Sequence, residues 1–386
     1  MAKTVAEINE KIRSGRVVVV NAEEFARMAK STDLATLASE VDIVTTATFG
    51  PMCSSGAIIN FGHWSPPIRM EEIRLNGVSA YEGLAAVDTY IGATAESKFD
   101  PTYGGAHVIE ALIRGDDVRL QAHGKGTDCY PTREVDTWIN KETVNEFYLF
   151  NPRNAYQNYG AATNSTLRIK YTYMGSLLPR CSNVTYSTSG ELSPLLNDPY
   201  FRTIGLGTRI FLGGAEGYVA WNGTQFNTRR ERTADGVPTL GAATLAVVGD
   251  AKRMSPSFIK SAYYEKYGVS LFVGIGIPIP VLDEEMAAHL AITNDRLTTT
   301  IFDYGKEDHP PVRSVTYAEL ASGSVTLDGE RRVKTAPLSS LAKAREIADL
   351  LKAWIEEKQF FLTEAVAPLP RDSFVRPLVP REGGIR

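Results

Sequence analysis

The chain has 386 residues, 43% hydrophobic and 22% charged, which excludes general disorder and allows a large buried core. Its formal net charge of -4 leaves no basic surplus, so nucleic acid is not expected as a partner and a small-molecule substrate is favoured. The apolar stretch 269–282 is interrupted by Gly and Pro and is shorter than the roughly 20 residues that cross a bilayer. The N-terminus carries charges where an export signal is apolar, so we expect a cytoplasmic protein without membrane contact.

The N-terminal part of the chain alternates between helix and strand. Thr4 and Glu7 form a capping-box pattern that predicts a helix ending at Gly15, and the β-branched run at 16–20 predicts a strand. The alternation continues with a helix capped by Asn21, a helix at 34–40 and a strand at 41–48.

Two strands of this region each deliver a cysteine into a polar loop. The strand at 41–48 leads to Cys53, and a helix at 106–114 and a strand at 118–123 lead to Cys129. In open α/β sheets, ligands collect at the carboxyl ends of the strands, so both thiols are expected there. Their wide separation in sequence excludes a local metal-binding spacing, but the two loops can meet in space if they follow neighbouring strands.

The middle of the chain, about 154–249, is rich in Gly, Thr, Asn and Tyr and predicts short strands, with a tight hairpin at Asn222-Gly223. Alternation then resumes. The predicted elements are strands at 244–248 and 270–277, helices at 257–267, 283–292 and 339–361, and a hairpin at Asp328-Gly329. The fold class is therefore α/β, in the broad sense of mixed α+β, with a β-rich central region.

Cys53 and Cys129 have the surroundings of reactive thiols. A structural cysteine sits among apolar neighbours, whereas a working thiolate needs cations, amide groups and access. His123 and Lys125 supply cations near Cys129, and His63 lies in a turn that can enter the Cys53 pocket. The alternatives are that Cys129 is only a small residue in a tight turn and that His63 is a hydrogen-bonded histidine in a proline-braced turn.

The glycine-rich segment 205–217 offers many amide donors but lacks the third glycine of the dinucleotide-binding pattern. One interpretation is a cradle for a substrate carboxylate, made by Gly205 and Gly207 with Arg202 or Arg209. The alternative is a glycine-rich bend in a sheet.

The third cysteine, Cys181, has neighbours that give less support to a reactive thiol and is interpreted as structural. Three scattered cysteines give little support to an iron or zinc centre, so no metal site is assigned. The sequence contains no G-x-S-x-G, P-loop or H-E-x-x-H motif, which disfavours the common hydrolases and NTPases.

Several segments resemble a known family. They are 48–56 with 60–63, 124–131, and 205–208 with 213–214. On these segments the chain is identified as a member of the homocysteine-biosynthesis domain family, described in anaerobic microbes as L-aspartate semialdehyde sulfurtransferase. The resemblance covers nearly the whole chain and implies one sulfur-incorporation domain at 1–365, followed by a proline-rich tail at 366–386.

The resemblance also implies a reaction and two cysteine roles. Sulfur would pass through a cysteine persulfide into aspartate semialdehyde to form homocysteine. We expect Cys129 to bear the persulfide and Cys53 to resolve the resulting disulfide, although these two roles can be reversed. His123 or His63 would move protons.

Conversion of an aldehyde carbon into a thiol carbon needs electrons in addition to sulfide. Some relatives carry fused regulatory or ferredoxin-like domains that this sequence does not show, so a separate ferredoxin-like iron-sulfur protein is the expected electron source. A sulfide source and a homo-oligomer are also expected, without a tightly bound cofactor. Two other classes stay open at this point: another thiol-dependent enzyme, such as an acyltransferase or a dehydrogenase, and a scaffold protein with structural cysteines.

Overall fold

A computed structural model describes residues 2–327, 329 and 331–379 of the chain. Within these residues the α-helices are α1 Val5–Ser14, α2 Ala22–Met28, α3 Leu34–Glu40, α4 Gly105–Arg114, α5 Pro194–Asn197, α6 Glu284–Leu290, α7 Tyr317–Ala321 and α8 Leu341–Glu356. The capping box predicted for α1 is present, and the helix ends at Gly15 with a φ of 70°.

The strands of the described chain are mostly short. They are β1 Val19–Asn21, β2 Ile43–Pro51, β3 Gly56–Asn60, β4 Glu72–Leu75, β5 Val78–Ala80, β6 Asp88–Gly92, β7 Val118–His123, β8 Glu134–Ile139, β9 Glu146–Asn154, β10 Ala161–Thr163, β11 Lys170–Thr172, β12 Gly175–Leu177, β13 Asn183–Tyr186, β14 Gly205–Leu206, β15 Arg209–Leu212, β16 Ala215–Asn222, β17 Leu245–Asp250, β18 Ile259–Tyr264, β19 Gly268–Pro280, β20 Thr298–Asp303, β21 Pro311–Thr316, β22 Ser324–Leu327, β23 Arg331–Pro337 and β24 Ala367–Pro368. With the helices they confirm the mixed α/β class.

A ten-stranded sheet forms the centre of the molecule, in the order β1-β2-β19-β15-β16-β17-β9-β3-β6, with β18 also paired to β19. Neighbouring strands run antiparallel except β1 and β2. Helix α8 packs on β2 and β19, where Gly274 and Gly276 allow the close approach: a Cβ at Gly274 would lie 2.8 Å from the Ile347 side chain. Because this sheet is largely antiparallel, the rule that ligands collect at the carboxyl ends of parallel strands does not apply to it.

Two smaller sheets complete the architecture. A six-stranded sheet, β21-β20-β10-β13-β23-β22, has its own apolar core, and a four-stranded sheet, β5-β4-β7-β8, lies beyond the β3 and β6 edge of the central sheet. The pairs β11-β12 and β14-β24 are short ribbons. The pairing of β24 with β14 attaches the beginning of the C-terminal tail to the body of the protein.

Two local predictions were wrong. Residues 257–267 were predicted as a helix, but 259–264 form β18, because all six residues pair with β19 and the tertiary pairing overrides the helical pattern. Asn222-Gly223 does not make a tight hairpin. Asn222 pairs with Leu245, and a Cβ on Gly223 would lie 2.3 Å from the Thr244 hydroxyl, so this glycine serves a close backbone approach.

The remaining predicted elements are found near their expected positions. Leu327 and Arg331 pair at the predicted Asp328-Gly329 hairpin, but residues 328 and 330 lie outside the described residues, as do residues 380–386 of the predicted tail. Among the residues that the structure describes, no helix combines the length and the apolar character needed to span a membrane.

Candidate active site

A cavity of about 500 Å³ lies between the central sheet and the six-stranded sheet. Its walls come from the carboxyl end of β2, the segment that follows β9, the β11-β12 turn, and the chain that follows β13 and β23. The lining is largely polar and aromatic. Among the lining residues are Cys53, Ser54, Arg153, Tyr156, Tyr159, Tyr173 and Tyr267.

Cys53 is held at the cavity by the turn that joins β2 to β3. The Met52 amide donates to the Leu271 carbonyl at 2.7 Å, which fixes this turn against β19. The Cys53 Sγ lies 3.2 Å from the Ser270 hydroxyl, and Tyr267 also hydrogen bonds to the thiol. The thiol is partly buried and has two hydroxyl partners.

Burial raises the pKa of Tyr267 to about 12, and the neighbouring charge and hydrogen bond of Cys53 act in the same direction. Tyr267 therefore keeps its proton at neutral pH and donates to the sulfur. This donor lies in the turn between β18 and β19, within the region where the sequence had predicted a helix.

Further tyrosines extend this hydroxyl lining. Burial raises the pKa of Tyr156, Tyr159 and Tyr304, so these phenols also stay protonated at neutral pH. The hydroxyls of Tyr173 and Tyr304 are 2.6 Å apart. The cavity wall is consequently rich in neutral hydrogen-bond donors.

Arg153 brings a positive charge to the same cavity. Its Nε donates to the Thr224 hydroxyl at 2.9 Å, and its guanidinium contacts the Tyr156 hydroxyl. No carboxylate within the described chain lies at ion-pair distance from it. Ser54 donates to the Arg153 carbonyl at 2.9 Å, which ties the arginine to the Cys53 turn. The free fork of the guanidinium suits the carboxylate of a ligand.

Cys129 lies elsewhere, in the exposed loop between β7 and β8 of the four-stranded sheet. The ring of His63 stacks on Tyr130, with centroids 6.5 Å apart, so His63 belongs to this loop. Cys53 precedes β3 and His63 follows it, and a five-residue strand spans roughly 15 Å. The two thiols thus lie near opposite ends of β3, and Cys129 does not line the Cys53 cavity of the described chain.

His123 and Lys125 also flank the Cys129 loop. The His123 Nε2 lies 3.7 Å from Glu134, and the Lys125 ammonium lies 3.3 Å from Glu71. The structure therefore places His63, His123 and Lys125 at the loop that carries Cys129, and it does not bring this group to Cys53.

The glycine-rich segment lies in a third place. The Gly205 amide donates to the Thr208 hydroxyl at 2.9 Å, and the Gly207 amide donates to the Val219 carbonyl at 2.8 Å. Both amides are therefore used inside the protein, in the β14-β24 ribbon and its turn, which corresponds to the alternative of a glycine-rich bend.

The two arginines predicted with that segment are ion-paired. Arg202 bonds to Asp283 and Glu285, and Arg209 lies 3.5 Å from Glu216. Neither lines the Cys53 cavity in the described chain. Arg153 lines the Cys53 cavity and is therefore better placed than these two arginines to bind a carboxylate there. The only sequence feature that pointed to it is the polar Asn-Pro-Arg-Asn segment at the end of β9.

Cys181 packs partly buried against the core of the six-stranded sheet. Among the described residues, no three His, Cys, Asp or Glu side chains are grouped to hold a metal ion.

A thiol with hydroxyl partners, beside a guanidinium without a carboxylate partner in a cavity of small-molecule size, is the arrangement of an enzyme active site in a mixed α/β fold. The comparisons with known proteins agree with this class. The chain belongs to the family described as homocysteine biosynthesis enzyme, sulfur-incorporation, which it matches over residues 17–362.

Named relatives resemble almost the whole chain. L-aspartate semialdehyde sulfurtransferase of Methanosarcina acetivorans is 48% identical over 96% of this chain and 72% of that protein. The enzyme of the same name from Methanocaldococcus jannaschii is 50% identical over 96% of this chain and 74% of its own length. An uncharacterized protein of Methanothermobacter thermautotrophicus is 28% identical over 83% of this chain and 72% of its length. No solved structure matches the chain.

Proposed function

We propose that the chain is an L-aspartate semialdehyde sulfurtransferase that forms homocysteine, with Cys53 as the thiol that carries the reacting sulfur. The observation that carries this proposal is the presence of Cys53 and Arg153 in one cavity of about 500 Å³. Two relatives of this name, about half identical to the chain, support the substrate. The cavity holds a four-carbon amino acid with room to spare.

The overall reaction determines which reactants must be supplied. Aldehyde plus hydrogen sulfide, two electrons and two protons give a thiol and one water. In the proposed route, sulfide opens a disulfide between Cys53 and Cys129, which leaves a persulfide on Cys53 and a thiolate on Cys129. The outer persulfide sulfur then bonds to the aldehyde carbon, and Cys129 attacks the Cys53 sulfur to re-form the disulfide and release a thiohemiacetal. Loss of water and addition of two electrons and two protons complete homocysteine.

Two residues of the cavity assist this attack. Arg153 binds the carboxylate of aspartate semialdehyde as a bidentate pair, which sets the distance from the aldehyde to Cys53. Tyr267 donates a hydrogen bond to the Cys53 sulfur and a proton to the alkoxide that forms on addition. The roles of the two cysteines are thus the reverse of the first expectation, because Cys53 is the thiol at the cavity.

Cys129 enters this route from a second copy of the chain. The pair must touch to exchange a disulfide, and within one chain the thiols lie near opposite ends of β3. An exposed loop can reach the cavity of a neighbouring protomer in a homo-oligomer. His123, His63 and Lys125 accompany Cys129 and would manage its proton and charge there.

The proposal also includes an electron donor, a cofactor requirement and a cellular location. The electrons come from a separate ferredoxin-like iron-sulfur protein, and the chain itself works without a tightly bound cofactor. A cytoplasmic location in an anaerobic cell suits the low-potential electrons that the last step of the route consumes. The direct test is an anaerobic assay with aspartate semialdehyde, sulfide and a low-potential reductant. We expect homocysteine in proportion to two electrons consumed, and no homocysteine under these conditions would refute the function.

Tyr267→Phe should slow homocysteine formation roughly tenfold at neutral pH, because a hydrogen bond to a charged sulfur is lost. The rate at which the Cys53 peptide reacts with iodoacetamide should also change, because a donor to the sulfur is lost. Mass spectrometry of that peptide follows the reaction. Tyr218→Phe, on an exposed ring in β16, is the matched control. An unchanged alkylation profile would remove Tyr267 from the mechanism.

Mixing Cys53→Ala and Cys129→Ala chains should restore activity that each variant lacks alone. If a dimer forms by random exchange, about a quarter of the wild-type rate is expected, since half of the dimers keep one complete site of two. Native mass spectrometry verifies that mixed oligomers form. Mixed oligomers without activity would place Cys129 in the site of its own chain, and activity of Cys129→Ala alone would place Cys129 outside the reaction.

A further inference from the structure

A second cleft, of about 670 Å³, lies beside the C-terminal segment. Glu285 is the single acidic residue among its lining residues in the described chain. Five arginines line it: Arg202, Arg229, Arg230, Arg232 and Arg371. Because the chain as a whole carries a net charge of -4, this concentration of positive charge is a local feature.

Only part of this charge is neutralised by the protein. Arg202 is paired with Asp283, and Arg229 with Asp372. The other three arginines have no carboxylate at ion-pair distance within the described residues: Arg230, Arg232 and Arg371. A cluster of unpaired guanidinium groups repels itself unless an anion joins it.

Arg232 is fixed in the cleft wall in advance of any ligand. Its guanidinium donates to the Gly236 carbonyl at 2.7 Å and to the Gln157 side chain at 3.2 Å, and it lies 5.1 Å from the centre of the Tyr200 ring. These partners are neutral. Burial lowers the pKa of Arg232. The loss of water around its guanidinium is therefore not offset by a nearby negative charge.

The cleft is separate from the Cys53 cavity, although one short segment borders both. Tyr156 and Asn158 line the cavity, whereas the buried Gln157 between them accepts from Arg232 and donates to the carbonyls of Leu195 and Pro199. The cleft and the cavity are therefore two distinct sites with Gln157 between them.

We propose that this cleft binds a small, multiply charged metabolite through phosphate or clustered carboxylate groups. The planar guanidinium fork matches the oxygens of both groups, and three unpaired forks match more than one negative charge. The volume fits a metabolite rather than a lone monovalent ion. Phosphate and carboxylate sources share this chemistry, so the test must distinguish them.

The test is calorimetric titration of the full-length protein with pyrophosphate and with citrate at constant ionic strength. Saturable binding of either probe is expected, and the probe that binds identifies the group. Arg232→Gln and Arg371→Gln should each weaken binding about tenfold or more. The exposed Arg371 side chain makes no hydrogen bond or ion pair within the described residues, so its variant should fold even if Arg232→Gln does not. Arg16→Gln should leave binding unchanged, because Arg16 is an exposed arginine that does not line the cleft.

Two results would overturn the site. One is the absence of saturable binding of both probes to the wild-type protein. The other is binding that Arg371→Gln leaves intact and Arg153→Gln removes, which would move the anion to the Cys53 cavity.

Discussion

Replacing Cys53 with alanine is expected to lower kcat for homocysteine formation by about 10³-fold or more, because the group that forms bonds to sulfur is removed. The change should not unfold the protein, since the Cys53 side chain is partly exposed and its main-chain turn is held by Met52. The measurement is the anaerobic assay with sulfide and reductant, together with a thermal melt of each variant.

Cys181→Ala provides the matched control for this result. Cys181 is also a partly buried free thiol, but it packs against an apolar core away from the cavity. Its variant should keep near-normal turnover and lose at most some stability. If Cys53→Ala turned over at the rate of Cys181→Ala, the sulfur would have to pass through another residue.

Arg153→Gln should raise the KM for aspartate semialdehyde and reduce kcat/KM about 10²-fold, because a desolvated pair between guanidinium and carboxylate is lost. Arg153→Lys should fall between wild type and Arg153→Gln, since an ammonium keeps the charge but cannot form the fork. Steady-state kinetics on the three proteins measure this order.

A truncated substrate makes this prediction specific. With 3-aminopropanal, which lacks the carboxylate, wild type and Arg153→Gln should react at similarly low rates. Arg168→Gln, on an exposed arginine away from the cavity, should match wild type on both substrates. A loss that is equal for both substrates would show that Arg153 supports the structure of the site and does not bind the carboxylate.

The family followed from short segments that resemble it, and the mixed α/β class followed from local signals. The Cys53 turn and the capping boxes of α1 and α2 are short segments whose residues contact one another directly. These segments could therefore be interpreted without knowledge of residues far away in the sequence.

Features that depend on distant pairing were not predictable in this way. The segment 259–264 is a strand because of β19, and Gly223 is required by Thr244 across the sheet. Arg153 and Tyr267 reach Cys53 from different strands, so no spacing in the sequence announces them. Cys53 follows β2 of the central sheet and Cys129 follows β7 of the four-stranded sheet, whereas loops after neighbouring parallel strands of one sheet would have met at one edge.

The most direct test of the central claim is a single turnover followed by peptide mass spectrometry. The protein, oxidised beforehand so that Cys53 and Cys129 form the disulfide, is loaded with isotopically labelled sulfide, separated from the excess, and then given aspartate semialdehyde and reductant. The account predicts that the Cys53 peptide gains one labelled sulfur, and that this sulfur appears in homocysteine as the peptide loses it. Labelled homocysteine formed while the Cys53 peptide never carries the label would contradict the account.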